Sequence, residues 1–335
     1  VAAELTVFQR TATYAVPARN RPLDPETVAA VKADYRAIRQ RQRAMPGGIG
    51  AALPGPAVSA MSLDDDERIR LTERAWDHGG FAFPTTFNDT MVDPRANHLL
   101  AEFVRDKIRG VVRDPETAEK LCPKHLISCK RLCLESGYYE SFNRPNVRLI
   151  ALGERGIERI TRTAVIVDGE RHELDALIMA TGFDAMTGSL LAVDIVGRDG
   201  VLLNDTWASG PVTYLGLGVP GFPNLFSVSG PGSPSVLTNM VLAAEQHIDW
   251  IADCLVFLRD TGRRTVEATP EAARDWVDHV NAVANRTLYP TCNSWYLGAN
   301  VPGKPRVFMP LLGFPPYEER CNAVAAADYE GFEIA

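Results

Sequence analysis

Leu174-Asp175-Ala176-Leu177-Ile178-Met179-Ala180-Thr181-Gly182-Phe183-Asp184 is an apolar run that stops at a turn. Asn224-Leu225-Phe226-Ser227-Val228-Ser229-Gly230-Pro231-Gly232-Ser233-Pro234-Ser235 is a second such run, leading through a Gly/Pro turn toward a helix. Both read as buried strands that end where a ligand can sit, because open α/β sheets bind cofactors beyond the carboxyl ends of their strands. No G-x-G-x-x-G fingerprint is read anywhere in the chain. The fold these runs predict is α/β, with part of a dinucleotide-binding architecture.

The 335 residues suffice for about two domains. A net charge of −7 argues against nucleic acid as the main partner. No apolar run approaches the roughly 20 residues that span a bilayer, and the N-terminus carries no basic start with an apolar core, so neither a membrane partner nor a signal peptide is expected. The cysteines, Cys122, Cys129, Cys133, Cys254, Cys292 and Cys321, form no C-x-x-C pair. They read mostly as buried thiols of a reducing cytoplasm. The histidines show no metal-ligand spacing, so no metal is expected. The chain starts at Val1, and Ala2-Ala3-Glu4 reads as the end of a helix that begins earlier, which suggests a truncated protein.

Outward from the two runs, Leu5 to Thr11 reads as a short strand. Residues 24–43 read as a charged helix with Pro25 at its first position, and Ser62 as the N-cap of a helix over 63–78. Further helices are expected at 94–112 and 115–121. The first of these shows Leu99, Leu100, Phe103, Val104, Ile108 and Val111 as its apolar face. Ala164 to Val167 and Arg171 to Leu174, joined by Asp168-Gly169, form a predicted hairpin. A helix after the second run carries Leu237, Met240, Val241, Ala244, Ile248 and Ile251 at helical spacing. Another helix starts at Thr269-Pro270.

Several groups can carry chemistry. Arg10 and Thr11 close a strand that suits the second strand of a βαβ unit, where Arg accommodates a ribose 2′-phosphate; an exposed strand end is the commoner explanation of such a residue. Lys130 and Arg131 lie between apolar neighbours and suit an anion, or simply a solvated basic pair. The glycines of Ala180-Thr181-Gly182-Phe183 and Gly230-Pro231-Gly232 permit close approach to a flat ligand, or serve a tight turn. Met240 and Trp295 can line a pocket or fill a core. His247 reads as satisfying a local hydrogen bond rather than as catalytic.

Taken together, Phe8-Gln9-Arg10-Thr11, Val16-Pro17-Ala18-Arg19-Asn20, Lys130-Arg131, Tyr138-Tyr139-Glu140, Ala180-Thr181-Gly182-Phe183-Asp184, Tyr214-Leu215-Gly216, Gly230-Pro231-Gly232-Ser233-Pro234-Ser235 and the run from Ser294-Trp295 to Gly303-Lys304 resemble the C-terminal portion of a flavin-dependent Baeyer–Villiger monooxygenase, of the phenylacetone and steroid monooxygenase branch. The resemblance implies a partial flavoprotein monooxygenase fold of two dinucleotide-binding domains with a helical insertion. It assigns residues 1–20 and 125–185 to an NADP-binding domain, 21–124 to the insertion and 186–335 to the FAD-binding domain. It implies FAD and NADPH as cofactors, and a ketone and O2 as substrates. Arg10, Thr11 and Lys130 would contact the NADPH 2′-phosphate. Arg131 would stand beside the flavin, stabilising the negative charge that develops there. Thr181, Gly182 and Phe183 would border cofactor, Ser235, Val236 and Met240 the substrate, and Trp295 would fold over the nicotinamide. The family's two phosphate loops are missing, and on this resemblance they would precede Val1. A flavin monooxygenase acting on nitrogen or sulfur, and a non-catalytic fragment that binds or assembles, are the two rival readings. The oligomeric state is left open.

Overall fold

The computed structural model describes residues 2–50, 57–153, 156–234, 237–299, 301–305 and 313–335. The chain divides into two compact units, residues 1–21 with 52–182 and residues 22–51 with 183–335. The helical stretch expected over 21–124 is therefore shared between them, and the division passes between Gly182 and Phe183.

In the first unit two parallel strand pairs lie beside helices. Leu5–Gln9 pairs with Val147–Ala151, Leu5 opposite Val147. Ala15–Pro17 pairs with Cys133–Glu135. The helix Pro94–Val111 starts on the Asp93 side chain, which accepts the Arg95 N–H, with Pro94 in the first turn where a missing N–H costs nothing. It buries Ala96, Asn97, Leu100, Ala101, Val104 and Ile108 against Tyr14, Val16, Phe83 and Leu121. Leu99, expected on this face, is exposed, and the small Ala96 and Ala101 take the inner positions. The helix expected at 63–78 runs from Asp65 to His78 with Asp64 as its cap; Ser62 ends a preceding 3-10 turn. Asp64 wins because its carboxylate meets both the free N–H of Glu67 and the positive end of the helix dipole. The hairpin Ala164–Val167 and Glu170–Glu173 forms as expected, with Asp168 and Gly169 both at positive φ, and Arg159–Ile160 adds a third strand.

The second unit is held by helices. Met240–Asp260, Pro270–Ala284 and Phe314–Ala326 enclose Trp250, Cys254, Trp276, Tyr317 and Cys321. The stretch expected as one helix at 24–43 is two, Pro25–Ala33 and Tyr35–Arg43, broken at Asp34. Arg39 pairs with Glu245 and Arg43 with Glu318, and the Asn239 N–H bonds the Gly47 carbonyl at 2.9 Å, which ties this arm to its unit.

Neither opening run is a strand. Residues 174–184 pair with no described strand, and Ile178 and Phe183 are 86% and 92% exposed. An apolar run marks a surface built for covering, but it becomes a strand only when a neighbour completes its hydrogen-bond ladder. In the second run Phe226 makes only an isolated bridge to Gly218. The G-x-G-x-x-G spacing does occur once, at Gly216, Gly218 and Gly221. It lies among these bridges with no helix following it directly, and a Cβ on Gly218 would meet the Phe332 ring at 2.7 Å. That is a packed corner, not a phosphate loop.

Cys122, Cys254 and Cys321 are buried free thiols and Cys133 is an exposed one. Cys129 and Cys292 depart from the expectation of thiols, being disulfide-bonded. Among the described residues no helix is long and apolar enough to cross a membrane, and no three metal-ligating side chains converge.

Candidate cofactor site

A cationic corner forms at the end of the first parallel pair. The strand stops at Gln9, whose side-chain amide donates to the Lys120 carbonyl at 2.7 Å, and leaves Arg10 and Thr11 exposed just beyond it. Lys130 is half-buried beside them. Burial first, and then the Arg10 charge, hold its ammonium below the ordinary lysine range, and no carboxylate offsets either. Two cations sharing a partly dry corner are mutually unfavourable until an anion joins them. A phosphate dianion is such an anion. Arg131, next in the chain, is exposed.

Three side chains that sequence reasoning missed fix the backbone leading to Lys130. Tyr14 donates its hydroxyl to the His125 carbonyl at 2.8 Å and accepts from Arg105 Nη2 at 2.8 Å. Arg105 Nε donates to the Pro123 carbonyl at 2.7 Å. Asn97, fully buried, accepts the Ile127 N–H at 3.1 Å and donates to the Ile127 carbonyl at 3.0 Å and to the Thr90 carbonyl at 2.9 Å. The one signal in the sequence is an asparagine within an otherwise apolar helix face. His125 has its pKa lowered to about 4, by burial and then by Lys130 and Arg105, so it is neutral near pH 7. Tyr138-Tyr139 serves structure here: the Ala15 N–H donates to the buried Tyr139 hydroxyl at 3.2 Å.

In the second unit the Gly230-Pro231-Gly232 turn is filled by protein. A Cβ on Gly230 would lie 2.2 Å from Ser227 Oγ, one on Gly232 2.4 Å from Thr213 Oγ1, and one on Gly216 2.2 Å from the Ser233 nitrogen. The Tyr214-Leu215-Gly216 segment and the Gly/Pro turn thus interlock, and tight packing accounts for these glycines. His247 holds the same turn. Its Nδ1 accepts the Ser229 N–H at 2.9 Å, so the ring proton is on Nε2 and points at the Tyr317 hydroxyl, 2.9 Å away. Tyr317 in turn donates to the Leu215 carbonyl at 2.7 Å. The local-hydrogen-bond reading of His247 holds.

Ser235 and Val236 lie outside the described residues. Met240 opens the long helix, which Asn239 caps. The predicted apolar face of that helix lies mostly outward: Val241 is 70% exposed and Met240 42%, while Ile251 packs against the core and Leu242, Ala243, Gln246, His247 and Trp250 are buried. Trp295 begins a 3-10 turn capped by Ser294, half-buried, its ring 4.4 Å from that of Tyr296. Lys304, whose side chain is 8% exposed, pairs with Asp184 and fastens this loop to the turn after Phe183. Thr181 and Gly182, in the first unit, are exposed, and a Cβ on Gly182 would meet nothing within 4 Å.

Elsewhere in the first unit a cleft of about 400 Å³ is lined by Arg19, Trp76, Lys107, Glu135 and Tyr139. Its cations already pair with Asp77 and Glu73, so it does not compete for the phosphate.

No family model matches the chain. It is 39% identical to phenazine N-monooxygenase of Lysobacter antibioticus, over 99% of this chain and 61% of the relative. It is 40% identical to a Baeyer–Villiger monooxygenase of Pseudooceanicola batsensis, over 99% of this chain and 60% of the relative. Among solved structures, oxidised steroid monooxygenase bound to NADP superposes with a TM-score of 0.91 at 45% identity, covering 99% of this chain and 62% of that one. The chain spans about three fifths of the length of the relatives it matches. Matched almost end to end at this identity and TM-score, the chain is similar to Baeyer–Villiger monooxygenases over about three fifths of their length.

Proposed function

We propose that the protein acts in an FAD- and NADPH-dependent monooxygenase that inserts one atom of O2 next to a ketone carbonyl, giving an ester or lactone. The observation that carries this reading is the cationic corner: Arg10 and Lys130, with no carboxylate partner among the described residues, at a parallel-strand end, and Arg131 the adjoining residue. Arg10, Thr11 and Lys130 bind the 2′-phosphate and orient the nicotinamide cofactor. Flavin, when bound, supplies the activation of O2. Arg131 contributes a guanidinium that stays protonated throughout, and so stabilises developing negative charge without exchanging a proton. Thr181, Gly182 and Phe183 border the cofactors, Ser235, Val236 and Met240 the ketone, and Trp295 closes the nicotinamide side and excludes water.

On this reading residues 1–20 and 125–185 form the NADP-binding part, 21–124 the helical insertion and 186–335 the FAD side. No phosphate cradle for FAD is found among the described residues, so its binding in this chain rests on that similarity alone. A cytoplasmic setting suits the three buried free thiols, while the disulfide-bonded Cys129 and Cys292 count against it.

The test follows NADPH oxidation by the flavin-loaded holoenzyme, with a ketone, a thioether and a phenazine as substrates. Ester from the ketone is the expected product. N-oxide from the phenazine with no ester would transfer the assignment to nitrogen oxidation, the activity named for one relative.

A further inference from the structure

The segment Pro123 to Ile127 carries no regular secondary structure, yet three side chains grip its backbone from outside. Asn97 and Arg105 stand on the helix Pro94–Val111, two turns apart, and Tyr14 stands between the two short parallel strands. They take the carbonyls of Pro123, His125 and Ile127 and the N–H of Ile127. Asn97 acts on Ile127 as a neighbouring strand would, accepting from its N–H and donating to its carbonyl. Three residues past that grip stands Lys130, whose charge is felt against that of Arg10. The intervening Ser128 has φ of +68°, a left-handed turn that a serine adopts only when its surroundings impose it.

We propose that Asn97, Tyr14 and Arg105 are positioning residues for the cofactor phosphate: they clamp the 123–127 backbone so that Lys130 is held beside Arg10 at the distance a phosphate can bridge. None of the three touches the phosphate. Like charges left on a loose segment would separate, and a dispersed pair binds a dianion less well than a preset one, because ordering is then charged against binding. The clamp rests on the 2′-phosphate reading of Arg10 and Lys130 given above.

The test uses the flavin-loaded holoenzyme and reads its preference for the phosphorylated cofactor in two ways: the ratio of kcat/KM for NADPH to that for NADH and, without turnover, the matching ratio of affinities for NADP+ and NAD+ by titration calorimetry. NADH lacks the 2′-phosphate, so a merely structural loss moves both values and leaves the ratio alone. Lys130→Ala is the reference and is expected to lower the ratio about 10- to 100-fold. Asn97→Asp keeps the acceptor for the Ile127 N–H and loses both donated bonds; it is expected to lower the ratio about tenfold. Tyr14→Phe conserves volume, removes only the hydroxyl, and keeps the question answerable if Asn97→Asp folds poorly; it is expected to lower the ratio about threefold. In the double variant Asn97→Asp with Lys130→Ala, the ratio is expected to match that of Lys130→Ala alone. An unchanged ratio in Asn97→Asp and Tyr14→Phe, with Lys130→Ala affected, overturns the clamp and leaves the phosphate reading standing. An unchanged ratio in Lys130→Ala overturns both.

Discussion

Two glycine turns of nearly identical promise in the sequence have opposite fates in the structure. Around Gly230-Pro231-Gly232 the backbone is pressed against its own protein, with Ser227, Thr213 and Gly216 occupying the space a side chain would need. Around Gly182 that space is open, and Phe183 beside it is almost wholly exposed. The same residue type therefore does two jobs. In the first turn glycine lets two chain segments interlock; in the second it shapes a bare surface next to an uncovered apolar run.

Three substitutions sharpen this contrast, from the largest effect to the smallest. Gly216→Ala is expected to destabilise its unit by about 3–5 kcal/mol, since a Cβ at a φ of +71° adds left-handed strain to a collision with the Ser233 backbone. Thermal unfolding followed by tryptophan fluorescence measures it, and an unchanged Tm would mean that the interlock is loose.

Next is His247, which holds the packed turn. Burial lowers its pKa to about 4, below the unfolded value near 6.5. Between these values the unfolded chain binds the extra proton, so stability is full above pH 6.5 and falls as the pH drops toward 4. The loss is roughly 3 kcal/mol. His125 titrates in the same window in the first unit. Denaturant midpoints between pH 4 and 7 should therefore slope less in His247→Phe than in the parent; equal slopes would deny His247 this role.

Gly182→Ala is the mild case, costing about 1 kcal/mol for its φ of +81° with no collision. If it proved as damaging as Gly216→Ala, the open turn would be covered after all and the contrast would disappear.

What the sequence revealed, and what it hid, follows the same division between local chemistry and tertiary cover. The helix Pro94–Val111 and the Asp168-Gly169 hairpin were legible because caps and turn residues act within a few positions. The lack of strand pairing at residues 174–184 was not, because hydrophobicity does not name the neighbour that would cover them. The long helix Met240–Asp260 misled for another reason. It is apolar on both sides, and the buried side carries Gln246, His247 and Trp250, which look more polar than the exposed Val241 and Ile248. At the site, Arg10, Lys130 and Arg131 were visible as cations at suggestive places. The clamp of Tyr14, Asn97 and Arg105 was not, because its bonds join residues 18, 30 and 111 positions apart.

The account depends most on Arg131, the exposed guanidinium adjoining the cationic corner. The most direct measurement is ester formation from a ketone by the flavin-loaded Arg131→Ala holoenzyme, with bound flavin quantified by its absorbance in the same sample. The account predicts full flavin content with ester production lowered at least about 100-fold. Ester formation at the parental rate, with flavin still bound, would contradict it.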